Sequence, residues 1–153
     1  MTAKNSNLRG YDEKKQALAR YNKIIIIDDS EMDLEIEKII LKGINLSKTI
    51  EIKLKAEEVI QELQNIKRLD EVPELIFLDL NMPGMSGMTF LNEFSLLPEL
   101  IKQKCGIVVV TSSNDQKTVD MTYSNPSVID YVVKPLDAQN ARKFLTQDNT
   151  SKY

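Results

Sequence analysis

Three runs of this chain are apolar almost to their last residue: Ile24–Asp28, Leu75–Leu80 and Gly106–Thr111. Such runs predict strands buried on both faces, which only a sheet covered by helices on both sides provides. Two further runs alternate. Thr49–Leu54 sets Ile50, Ile52 and Leu54 against Thr49, Glu51 and Lys53, and Ile129–Val133 repeats the pattern. Alternation leaves one face wet, so these two strands belong at the sheet edges.

Helical spacing fills the gaps between them. Ser30 is an N-cap candidate, with Asp33 three residues on as a variant capping box. Met32, Ile36, Ile39, Ile40 and Gly43 follow at helical spacing as a core stripe, and Gly43 closes the helix. Ala56, Val59, Ile60 and Leu63 stripe a second helix; Phe90, Leu91, Phe94 and Leu97 stripe a third, limited by Pro98. Asp115–Ser124 (DQKTVDMTYS) is poor in strong helix formers, so a weak, mobile helix is expected there, broken by Asn125-Pro126. A last helix covers about Asp137–Thr146. Five strands and five helices then alternate strictly from residue 24. The pattern predicts an α/β fold: a flavodoxin-like (βα)5 doubly wound parallel sheet of strand order 2-1-3-4-5. Residues 22–146 form this domain. Residues 1–21 are an extension, disordered to residue 10 with a short helix at 11–21, and residues 147–153 are a frayed tail.

Composition narrows the chemistry. The 153 residues contain no histidine, which removes Ser-His and Cys-His catalysis and histidine-based metal sites. The chain therefore cannot itself carry a phosphohistidine. A net charge of −3 gives no support to nucleic-acid binding. No apolar run approaches the roughly 18 residues of a membrane helix, and the first residues lack the apolar segment of a signal peptide. The single Cys105 excludes an internal disulfide, and a reducing cytoplasm is the expected compartment.

In such a sheet, ligands bind beyond the carboxyl ends of the strands. Here those ends carry Asp28-Asp29, Asp79, Thr111-Ser112 and Lys134. Taken singly, each has a plain explanation as a helix cap, a turn residue or an edge lysine. Together they line one rim. Three converging carboxylates repel one another unless one is protonated or a hard cation sits between them. Mg²⁺ suits such a site, because it takes one or two carboxylates with water and phosphate oxygens.

IIIIDDSEMD (24–33), IFLDLNMPGMSG (76–87), VVVTSSND (108–115) and DYVVKPL (130–136) resemble, in order and spacing, the four motif blocks of the response-regulator receiver domain (CheY-like) of two-component signal transduction. The resemblance covers about residues 22–146. It implies that Asp79 is the phosphoacceptor, forming 4-aspartylphosphate. Asp29 is implied as direct Mg²⁺ ligand, Asp28 as the second acid, and Asn81 as the donor of a backbone carbonyl to the metal. Thr111 matches the hydroxyl that binds the phosphoryl group, Lys134 the lysine that neutralises it, and Tyr131 the switch aromatic. Pro135 matches a proline after a cis peptide bond, and Gly87, closing the loop of breakers, is a further structural position. Backbone amides of Asn81 and Ser112 complete the cradle. The loop Asn125-Pro126-Ser127, Ser112 and the N-terminal extension depart from the usual pattern.

The implied partner is a sensor histidine kinase or histidine phosphotransfer protein, docked on the first helix with Met32 or Leu34 contributing. A downstream protein would read the face holding Met121, Tyr123 and Tyr131. With no basic output domain after residue 146, the expectation is a stand-alone phosphoacceptor that switches a protein-binding surface or relays phosphate, and not an enzyme in its own right. Two alternatives stay open. A pseudo-receiver would bind partners without phosphorylation. An aspartate-nucleophile phosphatase would need a second acid where Asn81 stands, and a cap insertion.

Overall fold

A computed structural model describes residues 9–10, 13–14 and 18–147. Residues 1–8 of the segment expected to be disordered and residues 148–153 of the expected tail lie outside these residues, whereas residues 9–10 are helical; of the helix expected at 11–21, residues 13–14 are helical, residues 18–20 are not, and Tyr21 is already strand. Five parallel strands form one sheet: β1 (Tyr21–Ile27), β2 (Ser47–Lys53), β3 (Leu75–Leu78), β4 (Gly106–Thr111) and β5 (Val128–Val133). Their order is β2-β1-β3-β4-β5. The helices are α1 (Glu31–Gly43), α2 (Ala56–Gln64), α3 (Gly87–Ser95), α4 (Glu99–Lys104), α5 (Gln116–Tyr123) and α6 (Ala138–Ala141), the last continuing as a 3₁₀ turn, Arg142–Leu145.

The three apolar strands are central, and each residue pair across them is buried on one face or the other. Ile24 pairs with Leu75 and Ile26 with Phe77. These side chains pack towards α1 and α6, with Leu34, Leu41, Ala141 and Phe144. Ile25, Ile27, Ile76 and Leu78 point the other way, into a second core with Val59, Ile60, Leu63, Phe90, Leu91 and Phe94 of α2 and α3. The period-2 alternation of side chains thus feeds two cores from one continuous apolar run. An edge-to-face pair, Phe77 and Phe144 at 5.4 Å, joins β3 to the C-terminal turn.

Three expectations are corrected. The stripe Met32, Ile36, Ile39 is not core: Met32 is 71 % and Ile39 68 % exposed, and Ile36 is exposed as well. The buried face of α1 holds Leu34, Glu37 and Leu41. The helix has more apolar side chains than its inner face can hold, and the start of the helix at Ser30 sets which ones turn inward. The helix does end at Gly43, but the left-handed position beyond it is Asn45, at φ 55°. Asparagine tolerates that region through its short polar side chain.

The second correction is a sixth helix. The connection from α3 to β4 contains α4, for which Pro98 is the N-cap. The Pro98 carbonyl accepts from the Ile101 N–H at 3.0 Å, so the residue expected to end one helix also opens the next. Leu97 and Ile101 bury themselves from either side of that turn. The third concerns Asp33. Ser30 does cap α1, its Oγ accepting from the Asp33 N–H at 3.2 Å. The Asp33 carboxylate, however, turns outward to Lys134, and the Ser30 N–H donates to Asp28 Oδ1 at 2.9 Å.

Strand order reverses between β1 and β3. Connections from these two strands therefore leave on opposite faces of the sheet and open a crevice above their carboxyl ends. None of the described helices is long and apolar enough to cross a membrane.

Candidate acidic site at the carboxyl rim

Asp28 follows the last residue of β1 and is 1 % exposed; Asp79 follows β3 and is 6 % exposed. Asp29, next in the chain, is exposed. Each of the three offers an oxygen, and these oxygens lie within 4.8 Å of one another. An octahedral Mg²⁺ with oxygens at about 2.1 Å sets its ligands roughly 3 to 4 Å apart, so this triad can close around such an ion with small side-chain movements.

Lys134, carried in by β5, neutralises the cluster from the opposite side. Its Nζ donates to Asp28 Oδ2 at 2.7 Å, Asp33 Oδ2 at 2.9 Å and Asp79 Oδ2 at 3.3 Å. Burial alone would lower the pKa of this ammonium. The hydrogen bonds to Asp28 and Asp33 and the charges of Asp28 and Asp79 outweigh it and hold the pKa above the ordinary lysine value. The peptide bond joining Lys134 to Pro135 is cis.

Asp79 is raised above the usual carboxylate value. Burial is the main cause and the charge of Asp28 adds to it, while the Asn81 N–H and Lys134 pull it back. The Asn81 N–H reaches Asp79 Oδ1 at 3.1 Å. The Asn81 side chain donates to the buried hydroxyl of Thr111 at 3.4 Å. Tyr131 lies further along the rim, and its hydroxyl donates to the Ser113 carbonyl at 2.7 Å.

Two details of the loop after Asp79 explain its glycines. A Cβ on Gly87 would stand 2.6 Å from the Asp79 carbonyl oxygen and from Leu80 Cα, so α3 presses its first turn directly on the backbone that follows β3. Gly84, at φ 75°, adopts the left-handed conformation. Beside it the Glu57 carboxylate accepts from the Met85 N–H at 2.8 Å and clamps the loop to α2.

The rim therefore gathers Asp28, Asp29, Asp79, Asn81, Thr111 and Lys134, with Tyr131 at its margin. Sequence reasoning missed two carboxylates. Asp33 read as a cap, and Glu37 lay hidden among apolar neighbours in α1. Glu37 is buried, and its pKa is pushed up to about 8, first by burial and then by the charge of Asp28. A signal was available for Asp33: it lies one helical turn past the Asp28-Asp29 pair, at the end of α1 nearest the rim.

The model of the response regulator receiver domain family matches residues 24–146. The chain belongs to that family. It is 28 % identical over 128 residues to a probable C4-dicarboxylate response regulator of Bacillus subtilis (strain 168), covering 80 % of this chain and 50 % of that protein. The chain spans about half the length of the curated relatives of this kind. A response regulator receiver protein from Dyadobacter fermentans superposes with a TM-score of 0.69 at 29 % identity, over 80 % of this chain and 94 % of that one. The receiver domain of a sensor histidine kinase from Pseudomonas aeruginosa PAO1, solved with a magnesium ion coordinated in its active-site cleft, superposes at 0.68 with 14 % identity, over 85 % of this chain and 98 % of that one.

Proposed function

We propose that residues 22–146 form a phosphoacceptor switch: Asp79 takes a phosphoryl group from a phosphohistidine on a partner protein, with Mg²⁺ held by Asp28, Asp29, Asp79 and the Asn81 carbonyl. The observation that supports this most is the ammonium of Lys134 set against Asp28 and Asp79 on one rim, facing a triad spaced for a hard cation.

An Asp79 carboxylate oxygen attacks phosphorus, and the bond from phosphorus to the histidine nitrogen breaks, returning its electron pair to that nitrogen. A cation held there would neutralise one of the three equatorial oxygens. The residues of this chain do the rest. Lys134 neutralises one phosphoryl oxygen and the Thr111 hydroxyl binds another. The N–H groups of Asn81 and Ser112 complete the cradle. Asn81 also argues against a hydrolase, because its amide stands where a second acid would be needed and donates instead to Thr111.

A phosphoryl group on Asp79 adds roughly two negative charges and strong acceptors. Thr111 moves towards it and leaves space for Tyr131, whose bond to Ser113 O is released. The α5–β5 face, with Met121, Tyr123 and Val133 exposed, changes shape as a result. It is the surface a downstream protein reads.

The kinase or phosphotransfer partner docks on α1. Leu34 is 1 % exposed and excluded from that contact, whereas Met32, Ile36 and Ile39 form an exposed apolar stripe beside the rim. The spacing of that stripe suits helix-against-helix packing.

The chemical identity of the product tests the reading. Borohydride reduces an aspartyl phosphate to homoserine, so phosphorylated protein should yield a peptide with homoserine at position 79. Conversion at any other position would contradict the assignment.

A further inference from the structure

The rim carries one more charge than the proposed chemistry needs. Lys134 has three N–H bonds, and all three are engaged, by Asp28, Asp33 and Asp79. Asp28 and Asp79 are nearly inaccessible, but the Asp33 side chain is 40 % exposed. It therefore stands between solvent and the lysine. It also binds that lysine more closely than Asp79 does, at 2.9 Å against 3.3 Å.

From this geometry we infer that Asp33 is a specificity-determining residue: it disfavours small, freely diffusing anionic phosphodonors relative to a donor presented by a docked protein. The inference rests on the reading of Asp79 as phosphoacceptor. Two physical effects act in the same direction. A small phosphodonor arrives as an anion, and a carboxylate at the mouth repels it. The donor must also draw Lys134 towards its own oxygens, and the Asp33 bond holds the ammonium back towards α1.

A docked partner escapes much of this penalty. Contacts along Met32, Ile36 and Ile39 supply binding energy away from the rim, which brings the phosphoryl group in against the repulsion. The backbone does not depend on the Asp33 charge. Its N–H, not its carboxylate, serves the Ser30 cap. Asp33→Asn and Asp33→Ala therefore remove the charge while keeping α1 capped.

The test uses the full chain with Mg²⁺ and two donors, doubly charged acetyl phosphate and singly charged phosphoramidate. In either reaction an Asp79 oxygen bonds to phosphorus as the bond to acetate or ammonia breaks, and the leaving group keeps the electron pair. Labelling is followed by intact mass. Because Asp33 is well exposed, the water-like end of Coulomb's law applies. Both variants should be labelled about fivefold faster by acetyl phosphate, and less accelerated with phosphoramidate. Added salt should speed the wild type and narrow the gap, since screening acts on exposed charges.

Equal acceleration with both donors overturns the inference, as does slower labelling of both variants; the latter would mean that Asp33 pre-positions Lys134. A change in Asp33→Ala but not in Asp33→Asn also overturns it, by assigning the effect to packing. If neither donor labels the wild type or any variant, the phosphoacceptor reading itself fails, a result distinct from all of these.

Discussion

Lys134 lies closer to Asp28 than to Asp79, at 2.7 Å against 3.3 Å. The lysine thus serves first as the counter-ion of a carboxylate that is almost wholly buried, next as the partner of Asp33, and only third as a neighbour of Asp79. Removing one partner of a buried pair leaves the other charge uncompensated, at a cost of about 3–5 kcal/mol. Because Lys134 is itself one-fifth exposed, Lys134→Ala should destabilise the metal-free protein by about 2–3 kcal/mol. Mg²⁺ should restore part of that loss, since the ion supplies the missing positive charge. Urea unfolding with and without chelator checks both parts. Unchanged stability in chelator would contradict the role of Lys134 as the counter-ion.

Glu37 predicts an unusual pH dependence. Its carboxyl goes from 4.5 in the unfolded chain to about 8 in the metal-free fold. The native state therefore holds a proton that the unfolded chain has already released. The stability from this group is fully present below about pH 4.5 and is lost as pH rises through about 8. Glu37→Gln is near-isosteric and cannot ionise. In chelator it should match the wild type at low pH and exceed it by about 5 kcal/mol at high pH. Urea midpoints of the two proteins across this range give the comparison, and parallel curves would show that Glu37 titrates as an ordinary carboxyl.

The loop that follows Asp79 depends on Gly84. Its φ of 75° is disfavoured for any side chain, and a Cβ there would stand 2.8 Å from Glu57 Oε1. Gly84→Ala should cost about 1–2 kcal/mol in backbone strain and push Glu57 off the Met85 N–H. Hydrogen exchange at the Met85 amide should quicken, and Mg²⁺ affinity should fall, because Asn81 lies in the same loop. Retained protection at Met85 would show that the clamp survives the substitution.

Much of the fold was legible because the central strands are buried on both faces, and nothing but a helix-covered sheet accounts for Ile24–Ile27, Leu75–Leu78 and Gly106–Val110 together. Edge strands declared themselves by alternation at Ile50 and Ile52. The rim followed, since Asp28, Asp79 and Thr111 sit at the ends of β1, β3 and β4, which the strand order places side by side, with Lys134 at the end of β5 next to them. Helix α1 was read on the wrong face because it carries two apolar stripes, and periodicity alone does not tell which one the sheet covers. Pro98 concealed α4, because the same residue type stops one helix and starts another. Asp33 was misread for a different reason: its local partner, the Ser30 backbone, competes with a lysine 101 residues away. A long-range ion pair leaves no mark on local spacing.

The proposed role of Asp79 as acceptor is tested most directly by intact mass after incubation with acetyl phosphate. Wild type and Asp79→Asn are compared with and without Mg²⁺. The amide is nearly isosteric, so the variant should keep the fold and lose only the nucleophile. The expected result is a gain of one phosphoryl group by the wild type, in Mg²⁺ only, and none by the variant. An equal gain by Asp79→Asn, or none by the wild type under any condition, would contradict the account.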